Sequence, residues 1–203
     1  MLRRVHWDDI YRTKKATEVS WFEAEPEVSL TLLHRVAPQG GSIIDVGGGA
    51  SLLVDRLVAA GNWDVTVLDV SAAALDLARR RVADTSGRVR WMQADITEVE
   101  QLGTYDVWHD RAVFHFLTRP EDREAYLTRL RGALPPGGHA VLGTFALDGP
   151  EQCSGLQVCR YDAASLAAML GPGFLLREQR QHVHHTPSGG TQRFTFAVFR
   201  ASD

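Results

Sequence analysis

The stretch Ser42-Ile43-Ile44-Asp45-Val46-Gly47-Gly48-Gly49-Ala50-Ser51 runs from an apolar segment straight into glycine, and Val65-Thr66-Val67-Leu68-Asp69 follows about twenty residues later. Read in order, this is a strand, a glycine turn, a helix, a second strand and an acid at its tip. An apolar strand that ends in glycines lets the backbone pass close to a ligand at the N-terminus of the next helix, where free N–H groups and the helix dipole face outward. An acid ending the second strand accepts both hydroxyls of a ribose. A dinucleotide fingerprint, Gly-x-Gly-x-x-Gly, requires a third glycine at position 52 so that the helix packs closely on the strand. Position 52 is Leu. The spacing is instead Asp45-x-Gly47-x-Gly49-x-Ser51, with an acid two residues ahead of the first glycine, where an amino group can be held.

Strand and helix patterns alternate around this unit. The sequence predicts strand 42–46, a helix over 51–60, strand 64–69, a helix over 72–83 opened by Ser71 as N-cap, and strand 88–93. Strand 105–110, a helix over 121–132 and strand 138–144, reached through Pro135-Pro136-Gly137-Gly138, come next. Such alternation implies βαβ units and a parallel sheet covered on both faces. The C-terminal part changes character: a helix over 162–170 precedes strands 173–183 and 192–200, joined hairpin-fashion by Thr186-Pro187-Ser188-Gly189-Gly190. Residues 1–38 read as helical, with a break around Ser20-Trp21 and a second helix from Pro26, and they precede the first strand, so they lie outside the sheet. A length of 203 residues, with no internal repeat or linker, suits one domain.

A hydrophobic content of 44%, a charged content of 23% and a net charge of −3 are those of an ordinary globular chain and argue against a nucleic-acid partner. The densest basic run, Arg79-Arg80-Arg81, ends an expected helix, where cations suit the dipole. No apolar stretch approaches the ~20 residues of a membrane span. Met1-Leu2-Arg3-Arg4 leads into His6-Trp7-Asp8-Asp9 rather than a signal-peptide core. The expectation is a cytoplasmic protein with no membrane partner, as monomer or homodimer. Cys153 and Cys159 fit a reducing compartment rather than a disulfide framework.

Three further segments stand in order behind the glycine turn and Asp69: Gln93-Ala94-Asp95-Ile96, then Tyr105-Asp106-Val107-Trp108-His109-Asp110-Arg111-Ala112-Val113-Phe114-His115-Phe116-Leu117, then Pro136-Gly137-Gly138. Each is weak alone. Together, in register over most of the chain, they resemble the class I S-adenosylmethionine-dependent methyltransferases, with Ser51 where many members carry a third glycine. The resemblance implies an α/β, Rossmann-like three-layer sandwich with a seven-stranded, mostly parallel sheet and an antiparallel last strand. It implies a single methyltransferase domain over 1–203, with 1–38 as a helical lid and 42–203 as the catalytic α/β core. It also implies S-adenosylmethionine as cofactor. Asp45, Gly47, Gly49 and Ser51 would then line its methionine end and Asp69 its ribose hydroxyls, with Val70 beside the adenine. Asp95 would meet the adenine amino group, the Ile96 backbone the ring, and the fourth-strand turn, with Asp110 and His115, the sulfonium end. Taken alone, Asp69 and Asp95 read equally as N-caps of the segments that follow them.

Methyl transfer from a sulfonium is an in-line displacement, so holding the nucleophile against the methyl group in a dry site is the main task. A base is needed only where the acceptor is protonated. His109, Asp110, Arg111 and His115 stand at the carboxyl end of the fourth strand, where open α/β sheets bind ligands. His109 and Arg111 alternate with Asp110, so the two sets face opposite ways. Asp110, Arg111 and Tyr11 are the catalytic candidates. His115 also reads as a helix-facing polar residue beside the cofactor. Amino-methyltransferases of nucleobases and glutamine carry Asn or Asp followed by Pro-Pro-Tyr or Phe at this point; here the run is Asp110-Arg111-Ala112-Val113, which argues against that chemistry.

Trp7 to Tyr11 and Glu18 to Phe22 resemble the entry segment of small-molecule and thiol methyltransferases, where aromatic residues close over the sulfonium. Trp7 and Tyr11, four apart, share a helix face. Tyr11 and Trp21 read equally as packing and as cofactor or substrate contacts. Phe145 to Tyr161 is a long connection of the kind that carries function. Within it Cys153 and Cys159 suit packing or, less directly, a soft ion. His182 and His184 share a strand face and His185 adjoins them, which invites a metal, but a polar strand end explains them and methyl transfer needs no metal; none is expected. The acceptor expected is a small molecule, a thiol or other soft nucleophile first, because no base dyad presents itself. Alternatives are a protein lysine, or a non-catalytic S-adenosylmethionine-binding protein. The mark of the latter would be loss of Asp69 or of the glycines, and both are kept.

Overall fold

The computed structural model describes residues 2–82 and 87–202. Helices α1 (Leu2–Thr13) and α2 (Glu27–Val36) precede the sheet. The break between them is longer than expected, because residues 14–26 are turns and irregular backbone. Then follow β1 (Gly41–Val46), α3 (Leu53–Ala60), β2 (Trp63–Asp69), α4 (Ala72–Arg81), β3 (Val89–Gln93) and β4 (Val107–Arg111). Position 83 of the expected 72–83 helix lies outside the described residues. A 3₁₀ turn at Phe114–Phe116 leads to α5 (Pro120–Ala133) and β5 (His139–Phe145). The small hairpin β6 (Gln152–Cys153) and β7 (Leu156–Gln157) comes next, then α6 (Ala163–Leu170), β8 (Phe174–His185) and β9 (Thr191–Ala201).

The sheet runs β3-β2-β1-β4-β5-β9-β8. Strands β1 to β5 pair in parallel, and β9 is antiparallel to both β5 and β8. This is the seven-stranded, mostly parallel sheet expected, with the last strand reversed. The β6–β7 hairpin was not foreseen. It lies within the 145–161 connection, where Ser154 and Gly155 take φ of 52° and 76°, the sense of twist that a two-residue hairpin turn requires.

Strand alternation sorts the core into two layers. Ile44, Val46, Trp108 and Leu142 face α5 and α6, whereas Ile43, Val107 and Val141 pack with Leu32, Leu33 and Leu57 from α2 and α3. Parallel register sets the functional neighbours: Asp45 lies opposite His109 on β4 and opposite Val67 on β2. Ser71 caps α4 as expected, accepting from the Ala74 N–H at 3.1 Å. Its own hydroxyl donates to Asp8 of α1 at 2.7 Å, and the Ala73 N–H donates to the same carboxylate oxygen at 3.2 Å. Helix α1 is thereby fastened to the start of α4, just beyond the carboxyl end of β2.

Candidate active site

Where β1 ends, Gly47 and Gly49 take φ of 70° and 40°. A Cβ on Gly47 would stand 2.0 Å from Val113 Cγ2, and one on Gly49 would stand 2.6 Å from Asp69 Oδ2. The turn therefore needs glycine both for its backbone and for its close approach to the tips of β4 and β2. Just ahead of α3, the Ser51 hydroxyl accepts from the Leu53 N–H at 3.1 Å, a local turn that leads into the helix without capping it. Opposite this turn, Ala112 has φ of 73°, a conformation that costs a side-chain-bearing residue about 1–3 kcal/mol. It is held there in part by its N–H, which donates to Gly143 O at 2.8 Å.

A cavity of about 860 Å³, open to solvent, runs from the tips of β2 and β3 past Gly47 and Ala112 to an aromatic end. Asp69, Val70, Asp95 and Ile96 line its first part. Asp69 Oδ1 accepts from the Ser71 N–H at 2.7 Å. Burial, helped by the nearby charges of Asp45 and Asp8, pushes its carboxyl up to about 7. Asp95 Oδ1 accepts from the Thr97 N–H at 2.9 Å and its hydroxyl at 2.7 Å, and Oδ2 pairs with Arg3 of α1 at 3.1 Å. Asp95 thus both caps a turn and stands in the cavity wall. At the far end Trp7 meets Trp21 and Phe116 edge-on, at centroid distances of 5.6 and 5.0 Å, and Phe145 meets Phe194 at 4.9 Å. Cys153 and Gln192 complete that end. Burial pushes the Cys153 thiol up, so it stays protonated near neutrality.

Tyr11 and Trp21 stand between this cavity and a second of about 570 Å³, and they line both, as do Gly47 and Arg111. Trp21 Nε1 donates to the Tyr11 oxygen at 3.1 Å. Asp45, His109, Ser29 and Ser51 line the second cavity. Asp45 Oδ1 lies 2.7 Å from His109 Nδ1, and His109 Nε2 lies 2.9 Å from Ser29 Oγ. Asp45 Oδ2 has no hydrogen-bond partner among the described residues. Arg111 donates through Nη1 to Trp21 O at 2.9 Å, pairs through Nη2 with Glu23 Oε1 at 2.9 Å, and lies 5.0 Å over the Phe194 ring. Although burial works against it, a hydrogen bond from His184 and the Arg111 charge hold the Glu23 carboxyl below the usual range.

Ten of the expected site residues therefore line this pair of adjoining cavities: Tyr11, Trp21, Asp45, Gly47, Ser51, Asp69, Val70, Asp95, Ile96 and Arg111. Gly49 packs behind Asp69, against Ala74. Two expectations are corrected. Asp110 is fully buried off the cavity, and its carboxylate accepts from the Val113 and Phe114 N–H groups and the Tyr126 hydroxyl, at 2.8, 3.0 and 2.6 Å. It holds the turn after β4 and is out of reach of a ligand. His115 is buried too; its Nδ1 accepts from the Phe145 N–H at 3.2 Å, and burial, with Arg111, pulls it down to about 3. It braces the same turn against β5 as a neutral ring. Tyr11 touches both cavities, but burial and Asp69 raise its phenol, so it keeps its proton and offers a hydrogen bond rather than a base.

Glu23, His182 and His184 bring three ligand-type atoms within 4.8 Å of one another. His184 Nε2 donates to Ser20 O at 2.7 Å, and Arg111 supplies positive charge to the same Glu23 oxygen that faces the histidines. Cys159 lies 3.8 Å from Arg123 Nη1, and the two cysteines form no three-donor cluster among the described residues. Sequence reasoning missed Arg3, Ser29, Phe116, Gln192 and Phe194. Gln192 and Phe194 alternate visibly along β9, but that this strand lies beside Arg111 is a fact of sheet order that no local pattern carries.

A family described as "Methyltransferase domain" matches residues 43–138, from β1 to the turn before β5. Together with the seven-stranded sheet and the relatives described next, this match over just under half of the chain supports a class I S-adenosylmethionine-dependent methyltransferase. An uncharacterized methyltransferase of Mycobacterium tuberculosis is 34% identical to this methyltransferase over 116 residues, 56% of each chain, so the match spans about half the length of that relative. The EEF1A lysine methyltransferase 2 of Danio rerio is 24% identical over 196 residues, covering 85% of this chain and 76% of its own. The crystal structure of the N-methyltransferase NodS from Bradyrhizobium japonicum, in complex with S-adenosyl-L-homocysteine, shares the methyltransferase fold with a TM-score of 0.73 at 18% identity, covering 97% of this chain and 98% of that one. Among the described residues no helix is long and apolar enough to cross a membrane.

Proposed function

We propose that this methyltransferase domain transfers a methyl group from S-adenosylmethionine to a small molecule carrying a soft nucleophile, a thiol first. The residues present fit the donor. Asp45 keeps one buried carboxylate oxygen without a partner, as an ammonium group requires, and the glycine turn beside it leaves no room for a Cβ. Asp69 would take the ribose hydroxyls, and Val70, Asp95 and Ile96 the adenine. When bound, S-adenosylmethionine supplies an electrophilic methyl: the methyl–sulfur bond breaks as the acceptor–methyl bond forms, S-adenosylhomocysteine leaves, and any acceptor proton passes to solvent.

One observation supports the acceptor class. Among the described residues, the aromatic end of the first cavity carries no carboxylate and no imidazole. With no base there, the chain's contribution is orientation and exclusion of water by Trp7, Trp21 and Phe116, and the acceptor must shed its proton readily, as a thiol does. Arg111 would favour an acceptor that arrives as an anion. Release of S-adenosylhomocysteine, measured against thiols, carboxylic acids, amines and a protein lysate, tests this; turnover confined to amines would reject it. The likeness to the zebrafish lysine methyltransferase favours a second reading, a protein lysine acceptor, for which the lysate would be the productive arm.

A further inference from the structure

The aromatic end of the first cavity holds two buried polar groups that the protein leaves unmatched. Gln192 of β9 is 8% exposed, and its Oε1 has no partner among the described residues, while Nε2 reaches Ser20 Oγ at only 3.4 Å. Arg111 Nε is likewise buried without a partner; Nη1 donates to Trp21 O, and Nη2 stands 2.9 Å from Glu23 Oε1 as an ion pair without a well-aligned hydrogen bond. Both residues line the cavity. Gln192 and Phe194 share one face of β9, and the Arg111 guanidinium lies 5.0 Å over the Phe194 ring, so an unmatched acceptor and an unmatched donor flank the same ring. Buried polar groups in folded proteins are nearly always paired, and an unpaired one calls for a partner from outside.

The surroundings restrict that partner. Trp7, Trp21, Phe116 and Phe145 give flat apolar walls. Glu23, the nearest carboxylate, is matched by Arg111 and faces His182 and His184, so a cationic group gains nothing here and meets the guanidinium. Resting on the methyltransferase reading above, we propose that the acceptor is a flat aromatic or heteroaromatic molecule, uncharged or anionic. It presents an N–H or O–H donor to Gln192 and, beside it, an acceptor atom to Arg111. A ring bearing such an edge satisfies both buried groups, whereas the same ring without the donor leaves the Gln192 carbonyl unmet. Aliphatic thiols lack the ring that the walls fit. Ammonium groups, a lysine side chain included, are excluded by charge.

The test is calorimetric binding to the full chain saturated with S-adenosylhomocysteine, using mercaptobenzimidazole, its N,N′-dimethyl derivative, mercaptoethanol and benzylamine as probes. Mercaptobenzimidazole should bind about tenfold or more tightly than the dimethyl compound, which keeps the ring and loses both N–H donors. In Gln192→Met that preference should fall below about threefold, with S-adenosylhomocysteine affinity serving as the folding control; Gln192→Leu provides a second apolar replacement. Equal binding of the two ring compounds, an undiminished preference in both variants, or benzylamine or mercaptoethanol binding as well as the ring would overturn the proposal. Failure of S-adenosylhomocysteine itself to bind would instead overturn the methyltransferase reading and the proposal with it.

Discussion

His109 Nδ1 lies 2.7 Å from Asp45 Oδ1, across a parallel register that sets the two residues side by side, and Ser29 of α2 closes the chain at 2.9 Å from Nε2. All three side chains are buried. The imidazole therefore fixes the plane of the carboxylate and occupies one of its oxygens, leaving the other unmatched.

Replacement His109→Ala frees that carboxylate to rotate. Affinity for S-adenosylhomocysteine should fall about tenfold, while methylthioadenosine, which has the nucleoside and sulfur but no amino-acid end, should bind within about twofold of wild type. His109→Gln should restore part of the loss. Parallel loss of both ligands by calorimetry would mean that His109 merely supports the fold.

Asp69, raised to about 7, makes a pH prediction with a definite sign. Ribose hydroxyls donate to a carboxylate, so binding favours the deprotonated form and should strengthen as pH rises from about 6 to 8, with proton release near the lower end. For stability the sign is opposite. A carboxyl raised above its ordinary value contributes stability that is present below about pH 4 and lost as pH rises through about 7. Melting curves with and without S-adenosylhomocysteine should diverge as pH increases, and Asp69→Asn should flatten both trends. A pH-independent affinity would sink the assignment.

Asp110→Ala should act on the fold. It strands the Val113 and Phe114 N–H groups and the Tyr126 hydroxyl, at a cost of about 3 kcal/mol in urea denaturation. Residual folded protein should retain its affinity for S-adenosylhomocysteine; a stable but inactive variant would return Asp110 to the chemistry.

Arg3 bridges α1 to Asp95, Thr97 and Asp122. Its side chain is 32% exposed, so Arg3→Ala should change stability by only about 1 kcal/mol. If Asp95 meets the adenine as proposed, dissociation of S-adenosylhomocysteine should accelerate severalfold, because α1 loses its tie to Asp95, and added salt should mimic the variant in the wild type. Unchanged dissociation by stopped flow would show that α1 is held by Asp8 and Trp7 alone.

The glycine turn and the strand-tip acids were readable because their determinants are local. Gly47, Gly49 and Asp69 each announce a backbone conformation or a strand tip, and the 3.6- and 2-residue periods place them. Asp110 and His115 were misplaced for a related reason. Their position after β4 is correct, but which way a side chain turns at the end of a strand depends on Tyr126 and Phe145, partners 16 and 30 residues away. Gln192 and Phe194 were invisible because they reach the cavity only through the insertion of β9 between β5 and β8. The β6–β7 hairpin lacked a strong signal, since Ser154-Gly155 is a weaker turn marker than Asn-Gly.

The family match stops at residue 138, just before β5. Within it lie the glycine turn and both strand-tip acids, whereas Trp7, Trp21, Phe145, Cys153, Gln192 and Phe194 all fall outside. Most of the aromatic end is thus drawn from outside the matched stretch, although Arg111 and Phe116 fall within it. Exchanging residues 1–38 together with β5 to β9 between two relatives should therefore move most of the aromatic wall at once, with Arg111 and Phe116 left in place to receive it.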